Sequence, residues 1–203
     1  MLASSLACLV LATSLVAGPI ALQLETDDQG YNAGGTEIQL PAPAARALGE
    51  TLRAIAVLHS IDGTKVGTVF FLQLSGGVKV DVEIDSLPPG VHGFHIHENG
   101  NCEVRDFRSA GGHFNPYGAE HGFLNPEGPH VGDLPNLVVG EDGRARMEFT
   151  SALISLNRTR PNSLLRVGGT SVVIDAGLDD YLTGPAGGSG EKIACGVIKQ
   201  IVD

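Results

Sequence analysis

Six of the seven histidines, His92, His95, His97, His113, His121 and His130, lie between positions 92 and 130, and Asp133 follows His130 by three residues. Neutral imidazole is a good ligand for zinc and copper, and three imidazoles with one carboxylate complete a tetrahedral zinc site without thiolates. His113, His121, His130 and Asp133 supply that set. His95 and His97 stand at i and i+2 in the run GVHGFHIHE, so a strand there places both rings on one face and His92 on the face opposite His95. The pair can therefore converge on one ion. His92 reads as a structural, hydrogen-bonding histidine, and His59 as a solvated residue in a turn after the first strand.

These side chains need a frame. Alternating apolar runs at 52–60, 66–74 and 78–85, separated by DGTK and SGG, predict an antiparallel meander. Further strand-like runs occur at 90–98, 136–143, 145–156, 170–175 and 192–201, about eight strands in total. Gly and Pro, 28 and 11 residues, are spread along a chain that has no Trp, which suits short strands joined by turns. The segment from about 99 to 135 is too long for an idle hairpin loop and carries most of the candidate ligands.

The formal net charge of −10 argues against a broad basic face for nucleic acid. The first 22 residues contain no charged side chain and read as a signal peptide or membrane anchor, which implies export to a periplasmic, extracellular or membrane-tethered location. No basic residue precedes the apolar run, so the true start of the chain is an open question; Cys8 reads as a small residue within that run. Residues 23–50 mix acids, Gly and Pro-Ala without a sustained period and read as a flexible linker to a domain at 51–203. Cys102 and Cys195 form an even pair in a chain bound for an oxidising compartment and are expected to bond. Asn157-Arg158-Thr159 matches a glycosylation acceptor, a tripeptide too frequent to carry a function here.

The blocks GFHIHENGNC, GGHFNPYGAEH, GPHVGDLPNL, VVIDAGLDDY and IACGVI resemble successive signatures of the copper-zinc superoxide dismutase family, over roughly residues 52–201. The resemblance implies an eight-stranded Greek-key β-barrel or sandwich with two long functional loops. It implies copper on His95, His97 and His113, and zinc on His113, His121, His130 and Asp133, with His113 bridging the two. Asp179, rather than the adjacent Asp180, takes the place of the aspartate that ties a copper-ligand ring to a zinc-ligand ring. Cys102 and Cys195 match the family disulfide. The implied reaction converts superoxide to oxygen and hydrogen peroxide; a homodimer is an expectation for which the sequence offers no interface.

Two positions depart from the pattern. Where the family carries its fourth copper histidine, this chain has Asp175. Aspartate is shorter, so its oxygen is expected to fall short of the ion, and a hard carboxylate favours Cu(II) over Cu(I). Three residues before Cys195, the family arginine that guides superoxide is replaced by Lys192, which keeps the charge and loses the planar fork. Two readings follow: a dismutase impaired by Asp175 and Lys192, and a catalytically inactive relative stabilised by zinc. A copper-delivery role is disfavoured because neither a Cys-x-x-Cys module nor a Cys-x-Cys tail occurs in the sequence.

Overall fold

A computed structural model of the chain describes residues 51–202; the leader segment 1–22 with Cys8 and the linker 23–50 lie outside the described residues. Ten strands are present among the described residues: β1 (Arg53–Ser60), β2 (Lys65–Leu74), β3 (Gly77–Ile84), β4 (Gly90–His92), β5 (Phe94–His97), β6 (Leu137–Val139), β7 (Ala145–Ser151), β8 (Ser171–Asp175), β9 (Lys192–Val197) and β10 (Lys199–Ile201). Eight form one antiparallel sheet in the order β5-β8-β9-β1-β2-β3-β7, with β10 also on β1, and β4 and β6 form a separate pair. Non-consecutive neighbours such as β3 with β7 and β1 with β9 give the expected Greek-key crossings.

The difference from eight runs is local. Residues 90–98 split at Gly93, whose N–H leaves the strand to donate to the Gly177 carbonyl. Residues 192–201 split at Ile198, whose N–H donates to Thr170 instead of continuing one ladder. His59 lies inside β1 rather than in the following turn, and it is exposed as expected.

Alternation fills the core from one face of each strand. Ala54, Ala56 and Leu58 of β1, Val69 and Phe71 of β2, and Val78, Val80 and Val82 of β3 are buried in one cluster. β5 and β8 are buried along their whole length, because both of their faces are covered. Cross-strand partners share a face. Phe94 and Ile96 pair with Ile174 and Val172 on the core side, whereas His95 and His97 pair with Val173 and Ser171 on the outer side. The long segment between β5 and β6 covers that outer face, where Phe107, Ala110, Val173 and Cys195 form a second small cluster.

Cys102 and Cys195 are bonded, joining this segment to β9 across 93 residues of sequence. Closing a loop of that length restricts the unfolded chain by about 4–5 kcal/mol in the chain-entropy account. Cys102→Ser is therefore expected to lower stability by about 4 kcal/mol, read as a drop in the urea unfolding midpoint relative to the oxidised parent. An unchanged midpoint would show that the covering segment is held by its other contacts alone.

Candidate metal centre

Strand β5 is an edge of the main sheet, and the segment that follows doubles back along it. Ile96 donates its N–H to Gly132 at 2.8 Å and accepts from Phe114 at 2.8 Å, while Gly132 donates to Phe114 at 2.8 Å. These bonds set His97 opposite His113 and His95 opposite Asp133 as isolated bridges. Gly132 permits the approach, since a Cβ there would overlap the Ile96 carbonyl. Two histidines of a strand thus meet a histidine and an aspartate more distant in sequence.

The first cluster centres on Asp133. Its Oδ1 lies 2.8 Å from His113 Nδ1, 3.2 Å from His121 Nδ1 and 3.2 Å from His130 Nδ1. A tetrahedral ion with arms of about 2.0 Å separates its ligand atoms by roughly 3.3 Å, so the set has the size of a zinc site. Asp133 Oδ2 accepts the backbone N–H of Gly122 at 2.8 Å and of His130 at 2.9 Å, which leaves Oδ1 for the ion. Burial raises the Asp133 pKa, but hydrogen bonds from His113, His130 and Gly122 outweigh it and hold the carboxyl well below the usual range.

The second cluster is His95, His97 and His113, whose ligand atoms lie within 4.8 Å of one another. His97 Nδ1 donates to the Gly111 carbonyl at 2.9 Å, which fixes the tautomer and frees Nε2 as an acceptor. His97 Nε2 and His113 Nε2 are buried and have no hydrogen-bond partner among the described residues. Two buried, unpartnered nitrogens beside a third imidazole fit a metal ion, because leaving them unsatisfied is costly. Burial, followed by the neighbouring His113, lowers His97 to about 3, and burial lowers His113 to about 4, so both rings are neutral and ready to ligate at pH 7.

His113 belongs to both clusters; its Nδ1 lies 2.8 Å from Asp133 Oδ1, and its Nε2 is buried without a hydrogen-bond partner among the described residues. Asp179 joins the same two clusters from behind: Oδ2 lies 2.9 Å from His95 Nε2 and Oδ1 lies 3.0 Å from His121 Nε2. Burial raises Asp179, yet the two imidazoles and the Tyr181 N–H bring it down to about 2. Asp180 instead caps a turn, accepting from Leu182 and Thr183.

Asp175 points to the same outer face as His95. Its Oδ2 lies 2.9 Å from His95 Nδ1 and accepts from Ser189 Oγ at 3.0 Å. It is not one of the residues whose ligand atoms cluster within 4.8 Å. Lys192 pairs with Asp175 across the β8–β9 bulge, is partly buried, and its charge acts on His97; it makes no ion pair among the described residues. His92 is structural, with its ring nitrogens 2.9 Å from the Asp175 and Pro88 carbonyl oxygens.

Some contributors carried no readable signal. Asn136 donates its Nδ2 to the Asp179 carbonyl at 2.8 Å and accepts the Asp179 N–H at 2.9 Å, fixing that residue's backbone. Gly187, at φ 64°, passes so close that a Cβ would overlap Asp179 Oδ1. Such roles depend on the fold of the second long loop, and a lone Asn, Ser or Gly in a polar segment does not announce them.

Burial pulls the His95 imidazole down, but the carboxylates of Asp175 and Asp179 outweigh it and raise the ring to about 9. A raised histidine contributes stability that is fully present below its unfolded pKa of 6.5 and is lost as pH rises through 9. The metal-stripped protein should therefore lose up to about 3 kcal/mol between those pH values, and Asp179→Asn should flatten the dependence, both read by thermal denaturation. A metal-free parent equally stable at both ends would refute the double clamp.

The Copper/zinc superoxide dismutase (SODC) family model matches residues 65–198. The chain is 43% identical over 154 residues to Cu-Zn superoxide dismutase 1 of Aquifex aeolicus, covering 75% of this chain and 91% of that one. It is 36% identical over 188 residues to the extracellular Cu-Zn superoxide dismutase of Brugia pahangi, covering 88% and 92%. The crystal structure of a SOD-like protein from Bacillus subtilis matches with a TM-score of 0.68 at 41% identity, covering 70% of this chain and 96% of that one. The chain thus belongs to the copper/zinc superoxide dismutase family, whose cofactors are copper and zinc.

Proposed function

We propose that this chain is an exported dismutase of the copper-zinc type, converting superoxide to oxygen and hydrogen peroxide, with turnover slowed by Asp175 and Lys192. In this reading His113, His121, His130 and Asp133 hold zinc, and His95, His97 and His113 hold copper. The observation that carries it is His113, which offers one ring nitrogen to each cluster. Export rests on the apolar, uncharged first 22 residues and on the extracellular Brugia relative.

Copper supplies a one-electron couple that can oxidise one superoxide and reduce the next. The surrounding residues set how well it does so. His97 is locked through Gly111, and His95 through Asp179, so both ring orientations are fixed through the nitrogen that does not ligate. His113 Nε2 is the atom positioned to take and release a proton beside the reacting oxygen, while its Nδ1 stays committed to the Asp133 side. Lys192 supplies a cation near His97 for an incoming anion, with less geometric control than a guanidinium.

The missing fourth histidine lowers softness and ligand number on the copper side, which weakens retention of Cu(I). An inactive, zinc-stabilised protein is the limit of the same effect, and Asp175 is the observation that favours it. Purified chain loaded with zinc and copper should consume superoxide at least tenfold more slowly than Asp175→His at equal metal content. Equal rates would sink the impaired-site reading, and no turnover by either protein at full copper occupancy would favour the inactive one.

A further inference from the structure

Asp175 is fixed from several directions, and it is not among the residues whose ligand atoms cluster within 4.8 Å of one another. Its backbone N–H donates to the Gly93 carbonyl at 2.9 Å, and its own carbonyl lies 2.9 Å from the His92 ring. Its carboxylate oxygen Oδ2 sits between His95 Nδ1 at 2.9 Å and the buried Ser189 hydroxyl at 3.0 Å. Ser189 is itself held, since its carbonyl accepts the Gly177 N–H at 2.7 Å. The hydroxyl also lies 2.8 Å from the Ala186 carbonyl, so its single proton is shared between that oxygen and the Asp175 carboxylate.

The other ring nitrogens of this cluster identify where the carboxylate does not go. His97 Nε2 and His113 Nε2 have no partner among the described residues, although a carboxylate stands beside the neighbouring imidazole. His95 is the exception, because both of its nitrogens are engaged, Nε2 by Asp179 and Nδ1 by Asp175. Asp179 leaves Nδ1 as the nitrogen with which His95 can ligate, and Asp175 covers that atom.

We infer that Asp175, held by Ser189, is a competitor for His95 Nδ1 and not a fourth ligand, so that this pair sets how tightly the second site takes a metal. The inference rests on the proposed assignment of His95, His97 and His113 to copper and deepens it: the site is limited at metal uptake as well as at turnover. For an ion to bind His95, the contact between Nδ1 and the Asp175 carboxylate must open, and the Ser189 bond opposes the swing that opens it. A ligand and a competitor respond oppositely to truncation. Removing a ligand weakens binding, whereas removing a competitor strengthens it.

The test uses full-length chain, stripped of metal, reloaded with one equivalent of zinc, and titrated with Cu²⁺ against a chelator of known copper affinity. Asp175→Ala is expected to bind copper about tenfold more tightly than the parent, the scale of one hydrogen bond to a charged group. Ser189→Ala, which keeps the carboxylate and loosens it, should gain several-fold. Zinc affinity, measured in parallel, should be unchanged in both variants, a result that general disruption of the loop would not give. Weaker copper binding by Asp175→Ala would make the carboxylate a ligand and overturn the inference. Unchanged copper binding in both variants would overturn it as well. If parent, variants and Asp175→His all take zinc but no copper, the copper assignment fails together with the inference; if parent and Asp175→His bind copper equally, only the inference fails.

Discussion

Everything at this centre depends on the backbone pairing of the first long loop with the free edge of β5. Ile96 gives and receives one hydrogen bond each, to Gly132 and from Phe114, and those two bonds carry His113 and Asp133 to the face that already holds His95 and His97. An edge strand presents unpaired backbone groups and is a hazard when left open. Here the same edge is covered by the chain's own loop, and the covering delivers ligands. The disulfide and the small cluster around Phe107 hold that loop down at its far end.

Electrostatics then divides the centre. The cluster on Asp133 gathers three imidazoles around one carboxylate oxygen whose partner oxygen is occupied by two backbone N–H groups. The cluster of His95, His97 and His113 gathers three imidazoles with two unpartnered nitrogens, and the His95 ring lies between two carboxylates. Asp179 supports both clusters, since it fixes one ring in each through Nε2. Asp175 acts on one cluster only, through His95 Nδ1. In the proposed reading, Asp175 therefore bears on softness, ligand number and access to His95 together.

Much of this was legible from residue types and spacing. The meander, the separation of Phe94 and Ile96 from His95 and His97, and the carboxylate-histidine set at 113–133 follow from periodicities of two and from ligand chemistry, and the paired cysteines followed from parity and compartment. The resemblance supplied what spacing alone left open, above all the choice of Asp179 over Asp180 and the sharing of His113. Strand breaks at Gly93 and Ile198 were not legible, because both arise when a backbone N–H finds a partner in a distant loop. Asn136, Gly187 and Ser189 were missed for the same reason: their roles exist only once the second loop has folded against β8. The bond of Asp175 to His95 Nδ1 required the three-dimensional register of β5 and β8.

The central claim is that one imidazole, His113, serves two different metals. Anomalous diffraction from crystals of the zinc- and copper-loaded protein, collected at both absorption edges, tests it most directly. A zinc peak is expected among His113 Nδ1, His121, His130 and Asp133, and a separate copper peak bounded by His95, His97 and His113 Nε2. Two peaks that do not share His113, or zinc anywhere but beside Asp133, would contradict it.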